Sequence, residues 1–364
     1  MNKLKVNIFH EWVDNIGGGE FVIICLREIL PESTIYALWI DEDVSKNYFD
    51  KIETSFLQYF PKKLRRNVGL LFMPIAWITL AKRAKSADIN FASSWVFAHM
   101  IGKYSKSGTN INYIHTPCRY WWFSKIDARM NFVFGSLVQS LFKKFDYYFT
   151  KQKSLLIANS FNTQNRISIA WNLPSQVIYP PVDIEFYDFK LANKIEYVNY
   201  LLCVGRFVSY KGQGIAIDLA EKLGLPLVIA GHGPNLGMLQ NRAIKSKYPV
   251  YIEVNPTKER LRDLYSNAKC LVYPAIEDFG IVPVEAMACG LPVLGLAVGG
   301  LLETVTVPTA GNLVDSNNLE TLENGYLNLN HGNKESIRST IFAFSKNNFQ
   351  KNILNLVNLE KKFD

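Results

Sequence analysis

The sequence predicts an α/β fold made of two parallel-sheet domains. Three observations carry this: the length, the alternation of β-branched runs with helix-length segments, and a double-proline joint near the middle. At 364 residues the chain exceeds the roughly 250–300 at which one hydrophobic core stops growing. Hydrophobic residues make up 48% and charged residues 20%, which excludes a disordered or collagen-like chain. Runs at 6–10, 34–40, 89–92, 111–114 and 155–158 read as strands of the front half. Runs at 201–204, 227–230, 250–254, 269–273 and 292–296 read as strands of the back half. Strands separated by helix-length segments read as βαβ units. The joint is Ile178-Tyr179-Pro180-Pro181-Val182-Asp183, where two prolines forbid helix.

Taken along the chain, the first strand runs into Ile16-Gly17-Gly18-Gly19-Glu20. This is not a dinucleotide fingerprint, but it is a flexible loop that lets a ligand approach a helix starting at Glu20. The strand at 34–40 leads into Asp41-Glu42-Asp43, which resembles a DxD metal motif. Standing before a helix-like stretch at 44–49, it reads instead as a cap with an acidic first turn.

Next comes an apolar run at 68–81, 14 residues long and containing Pro74. It falls short of the roughly 18–20 residues of a membrane-spanning helix. Seven cations flank it (Lys62, Lys63, Arg65, Arg66, Lys82, Arg83 and Lys85) with no acidic residue between 61 and 85. That pattern fits a core helix with solvated flanks, or a surface that rests on anionic lipid. The strand at 111–114 is followed by His115-Thr116-Pro117-Cys118-Arg119-Tyr120, at the edge where open α/β sheets bind ligands.

Glycine use shifts at the joint: 7 of the 22 glycines precede Pro180 and 15 follow it, so the back half suits close approach to phosphate. There, Cys203-Val204-Gly205-Arg206-Phe207 leads to Lys211-Gly212, placing an arginine and a lysine five apart in one loop. Cations so placed would stabilise a diphosphate leaving group, or would simply be solvated. Further on, Glu277-Asp278-Phe279-Gly280-Ile281-Val282-Pro283-Val284-Glu285 spans a strand-to-helix turn. A helix N-terminus there offers unpaired amides, and the two glutamates stand before and just inside it. Gly299-Gly300 follows the next strand at the same sheet edge.

Together these stretches resemble glycosyltransferase family 4, with the GT-B fold. Glu277 and Glu285, eight apart, match that superfamily's signature. His10-Glu11-Trp12 with the glycine loop, His115–Tyr120 and Tyr179-Pro180-Pro181-Val182-Asp183 are similar to a subgroup that includes bacterial O-antigen mannosyltransferases of lipopolysaccharide biosynthesis. The resemblance implies two doubly wound Rossmann-like domains facing across a cleft. Residues 1–180 would bind acceptor and 184–345 the nucleotide sugar, with 346–364 a helix returning to the front domain. Arg206 and Lys211 would neutralise the donor diphosphate. Glu285 would bind the ribose hydroxyls. Glu277, with the amides of Phe279, Gly280 and Ile281, would hold the transferred sugar. His115 would contact the sugar near its reacting carbon, and Gly17 and Gly18 would let the front domain close over the diphosphate. Gly212 stands where many relatives carry a basic or polar residue, and His232 replaces a commoner acidic one.

The implied reaction is hexosyl transfer with retention. The donor expected first is GDP-mannose, with a UDP-sugar second. The acceptor is a lipid-linked or surface glycan, and no metal is expected. The spacing agrees in one respect: eight residues would not bring the two carboxyls to the ~5 Å of a retaining glycosidase pair. Other readings are a nucleotide-sugar epimerase or hydrolase, and a non-catalytic nucleotide-binding subunit of a glycan assembly complex. The excess of 40 basic over 32 acidic residues fits an anionic partner, but the chain lacks a basic aromatic platform for nucleic acid. Five separated cysteines and the absence of an apolar leader fit a cytoplasmic protein, peripheral at most on the inner membrane face.

Overall fold

The computed structural model describes all residues except 1–3, 46–47, 50–51, 67–68, 124–135, 151–152, 331 and 361–364. The chain divides into two compact units, Met1–Pro181 with Phe349–Asp364, and Val182–Asn348.

The first unit holds seven parallel strands: β1 (Val6–His10), β2 (Thr34–Ala37), β3 (Ile52–Thr54), β4 (Ile89–Ser94), β5 (Thr109–Ile114), β6 (Leu155–Ala158) and β7 (Gln176–Val177). Their order is β3-β2-β1-β4-β5-β6-β7, so the sheet reverses direction between β1 and β4. The second holds six: β8 (Leu201–Val204), β9 (Leu227–Gly231), β10 (Val250–Val254), β11 (Cys270–Tyr273), β12 (Val293–Leu296) and β13 (Gly311–Val314). Their order is β10-β9-β8-β11-β12-β13, reversing between β8 and β11. Near-continuous burial along β1, β4, β8 and β11 is what a parallel sheet covered on both faces requires. The fold class read from the sequence is therefore observed in both halves.

Several boundaries differ, each for a local reason. The strand expected at 34–40 ends at Ala37. Beyond it, Leu38 N–H donates to Glu11 O and Val13 pairs with Ile40, so the chain follows the extension of β1. β3, β7 and β13 were not anticipated; they have three, two and four residues, too few to show a period. Gly311 opens β13 because a Cβ there would lie 2.1 Å from Val293 O on β12. The helix after the glycine loop begins at Gly18, not Glu20. The helix expected at 44–49 lies earlier, at Glu42–Ser45, and residues 46–47 fall outside the described ones.

The apolar run forms a helix, Gly69–Arg83, that buries Met73, Ala76, Trp77 and Leu80 and leaves Leu71, Phe72 and Ile75 exposed. The flanking cations were expected to lack counter-charges, and this is corrected. Lys62 Nζ lies 2.8 Å from Asp41 Oδ2, and Arg66 lies 2.6 Å from Asp14 Oδ2. Arg65 is buried, donating to the carbonyls of Phe60 and Gln58. The acids stand 21 and 52 residues away, so no local window could show them. The helix at Lys346–Glu360 packs Phe349, Ile353 and Val357 into the core over β1 and β5. Gln350 Nε2 donates to Cys25 O at 3.1 Å.

Candidate functional site

In the second unit, β8 and β11 end side by side at the point where the sheet reverses, and the expected residues stand on the loops that follow. β8 leads through Gly205 and Arg206 to a turn at Ser209–Lys211. Gly212 then enters the next helix with φ +72°. A Cβ there would lie 2.5 Å from Pro274 Cγ, so the departure noted at this position has a steric cause. The turn aims Lys211 back at β11. Its ammonium pairs with Glu277 Oε1 and lies 3.3 Å from the Tyr273 hydroxyl, which donates to the same carboxylate. Burial works against the Lys211 charge, but Tyr273 and Glu277 outweigh it and hold its pKa above the ordinary lysine range. Arg206 is exposed on the same loop, its backbone carbonyl accepting from Gln213 Nε2 at 2.8 Å.

Glu277 lies on the turn after β11, and Gly280, with φ +94°, precedes the Ile281–Ala288 helix. Phe279 is buried against Phe344, which sets the turn. Pro283 sits in the first turn, where its missing N–H costs nothing. The helix leaves the first-turn amides without intrahelical partners, among them Gly280 and Ile281. The sequence grouped Gly299-Gly300 with this turn, and the structure brings them together. Gly300 N–H donates to Glu277 O at 2.8 Å, and a Cβ on Gly299 would lie 2.4 Å from that oxygen.

Glu285, one turn into the helix, takes partners distinct from those of Glu277: Tyr265 donates to its Oε2 at 3.1 Å, and Tyr187 also bonds it. Burial raises its pKa to about 7, with the two phenols pulling the other way. Sequence reasoning missed both tyrosines and Tyr273. It noted Gly231-His232-Gly233 only as a departure. In the structure that loop backs the arginine loop: Phe207 N–H donates to His232 O at 2.6 Å, and a Cβ on Gly231 would lie 2.1 Å from Gly205 O. The His232 side chain is exposed.

In the first unit, His115 follows β5 beside the reversal point. Its Nε2 lies 2.8 Å from Ser93 Oγ, and Ser93 Oγ lies 3.0 Å from His10 Nδ1. Burial, with the nearby His10 adding to it, depresses the His115 pKa to about 3. Gly17 precedes the helix that begins at Gly18, its N–H donating to Glu20 Oε2 at 3.0 Å. Glu11 is fully buried, and its Oε1 accepts the amides of Val96, Phe97 and Ala98 at 2.7–2.8 Å. It thereby fixes the loop after β4, including Trp95.

Asp41 accepts Asp43 N–H at 3.2 Å as well as Lys62, the geometry of a cap. All five cysteines are buried thiols outside any disulfide, and burial pushes those of Cys203, Cys270 and Cys289 up to about 12. None is poised as a nucleophile. Among the described residues, no helix is long and apolar enough to cross a membrane.

Residues 185–339 match the family described as "Glycosyl transferases group 1". An uncharacterized glycosyltransferase of Methanocaldococcus jannaschii is 32% identical over 197 residues, 53% of this chain and 54% of its own. A GDP-mannose-dependent alpha-(1-6)-phosphatidylinositol monomannoside mannosyltransferase of Mycolicibacterium smegmatis is 30% identical over 138 residues, 34% of this chain and 36% of its own. The chain thus spans about half or less of the length of the curated relatives it matches. Among solved structures, Anabaena HepE in complex with UDP-glucose aligns with a TM-score of 0.71 at 17% identity, over 98% of this chain and 99% of that one. The second unit is thus similar to group 1 glycosyltransferase domains over residues 185–339, and the two-domain fold is of the GT-B type.

Proposed function

We propose that this chain is a retaining glycosyltransferase that uses a nucleotide-sugar donor, GDP-mannose in the first instance. The acceptor would be a lipid-linked or surface glycan of the lipopolysaccharide O-antigen type. The second unit binds the donor and the first the acceptor. The observation that carries this is Lys211, a half-buried ammonium held by Glu277 and Tyr273 beside the first turn of a helix. A leaving diphosphate needs fixed positive charge that does not have to reorganise as the bond breaks. Lys211 and Arg206 supply it. Glu277 and the amides of Phe279, Gly280 and Ile281 hold the sugar, Glu285 accepts from the ribose hydroxyls, and His115 accepts a hydroxyl of the sugar. Gly17 and Gly18 let the first unit's loop approach the diphosphate.

In the reaction, the anomeric carbon–phosphate oxygen bond breaks with oxocarbenium character. The acceptor oxygen bonds the same face, and its proton passes to the leaving phosphate. No metal takes part in this scheme. The mannosyl donor draws support from the mannosyltransferase relative, and a UDP-sugar from the UDP-glucose complex. The test is thermal-shift binding and transfer against GDP- and UDP-sugars in excess EDTA. Stabilisation by one nucleotide series with transfer to a glycan acceptor is expected. Free sugar released without acceptor would replace transferase by hydrolase or epimerase, and loss of activity in EDTA restored by Mn²⁺ would overturn the metal-free scheme.

We also propose that the first unit rests on anionic membrane. With Lys62 and Arg66 paired, the support is the exposed apolar set Leu71, Phe72 and Ile75 beside the exposed Lys63. An apolar set in a basic surround suits the headgroup boundary. Changing Leu71, Phe72 and Ile75 to Ser should abolish co-sedimentation with phosphatidylserine vesicles. Wild-type protein that ignores such vesicles at low salt would end the idea.

A further inference from the structure

Two histidines and a glutamate meet where the first sheet reverses, and the proposed function uses only His115. His10 ends β1, and Ser93 lies opposite it in the parallel register of β4. Ser93 Oγ bridges the imidazoles, 3.0 Å from His10 Nδ1 and 2.8 Å from His115 Nε2. On the far side of its ring, His10 Nε2 lies 3.7 Å from Glu20 Oε1. The other oxygen of Glu20 holds Gly17 N–H of the glycine loop.

We infer that Glu20, a neutral His10 and Ser93 form a one-way hydrogen-bond relay that fixes His115 as its Nε2–H tautomer, leaving Nδ1 as an acceptor for a ligand hydroxyl. This rests on the glycosyltransferase reading for the ligand's identity. The direction follows from counting hydrogens. A neutral imidazole carries one N–H, and a serine hydroxyl one O–H. His10 is fully buried, and its Nε2 has no hydrogen-bond partner among the described residues. On a neutral ring, a lone pair there would face the Glu20 carboxylate at 3.7 Å, so the hydrogen sits on Nε2. His10 Nδ1 is then bare and accepts from Ser93 O–H. With its hydrogen used, Ser93 can only accept from His115, which places the His115 hydrogen on Nε2.

Packing keeps the rings from turning. Trp95 stands edge-on to both, at 5.0 Å from His10 and 5.5 Å from His115. A Cβ on Gly19 would lie 3.2 Å from the Trp95 ring, 3.6 Å from His10 Cε1 and 3.8 Å from His115 Cε1. The third glycine therefore lets the first turn of the helix cover the relay. Burial supports the same picture, because a depressed His115 stays neutral and can present a lone pair. Glu20, His10 and Ser93 are positioning residues, acting through His115.

The test is ¹⁵N NMR of the five histidines in the full, unliganded chain near pH 7. His115 is expected with hydrogen on Nε2 and a bare Nδ1. Ser93→Ala should mix its tautomers and lower kcat about tenfold at unchanged donor KM, the worth of one hydrogen bond. Ser93→Thr, which keeps the hydroxyl, should restore both. His115 carrying its hydrogen on Nδ1, or a Ser93→Ala spectrum unchanged at His115, overturns the relay. The wild-type spectrum decides the tautomer even if Ser93→Ala does not fold. It needs no substrate, so a chain with the relay that transfers no sugar overturns the proposed function alone.

Discussion

The two units present their candidate residues at the same place in the fold, the reversal point of a parallel sheet, yet they handle charge in opposite ways. In the second unit, Lys211 is half-buried and stays charged because Glu277 and Tyr273 face it. In the first, His115 is equally near a strand end but faces Ser93, His10 and the Trp95 ring rather than a carboxylate, and burial keeps it uncharged. Desolvation acts on both groups, and the neighbour decides the outcome. A site that must meet a growing phosphate charge needs the first arrangement. A site that must recognise a hydroxyl in either direction needs the second, where one fixed tautomer chooses donor or acceptor.

The largest expected effect breaks the charged side of this contrast. Lys211→Ala and Glu277→Ala should each lower turnover by about 10²–10³ while the protein remains folded, because each acts on charge that develops in the transition state. The two groups hold one another, so the double variant should cost less than the product of the singles. Steady-state transfer by the three purified variants checks this. Near-normal transfer by either single variant would remove the assigned role, and multiplicative losses would mean that the pair is not coupled.

How much of this was legible in the sequence follows the same divide. The βαβ alternation and the prolines at 180 and 181 could be read, as could the positions of Arg206, Lys211 and Glu277 on strand-end loops marked by glycine and of Glu285 in the helix that follows one. The partners could not. Tyr273 lies four residues before Glu277 but reads as the end of a buried strand. Tyr187 and Tyr265 come from separate segments, and nothing local links them to Glu285. Ser93 is one small residue in a run of buried strand, yet it joins His10 to His115 across 83 and 22 residues of sequence. The basic flanks of the 68–81 run misled for the same reason, since Asp14 and Asp41 reach them only through the fold. Apolar period and glycine punctuation are local signals, whereas charge compensation and hydrogen-bond direction are set by residues far apart in the chain.

The smaller effect sharpens the contrast, because Glu285 belongs to the charged unit but behaves like the neutral one. Its hydrogen-bond partners are two phenols, and burial lifts its pKa from 4.5 to about 7 against their pull and the weaker one of Lys258. A carboxyl that holds its proton more tightly in the folded state contributes stability that is present below 4.5 and is lost as pH rises through about 7. Wild-type stability should therefore fall across that window. Glu285→Gln is neutral at every pH and should abolish that part of the slope, gaining about 3 kcal/mol over wild type at pH 8 relative to pH 4.5. The same variant should bind nucleotide more weakly at pH 8, since an amide oxygen is a poorer acceptor for two ribose hydroxyls than a carboxylate. Unfolding midpoints of both proteins from pH 4.5 to 8, with nucleotide titrations at each end, test this. Parallel stability curves for wild type and Glu285→Gln would show that the folded carboxyl titrates as the unfolded one does, with solvent or Lys258 compensating its charge, and the second unit would then be uniformly charged.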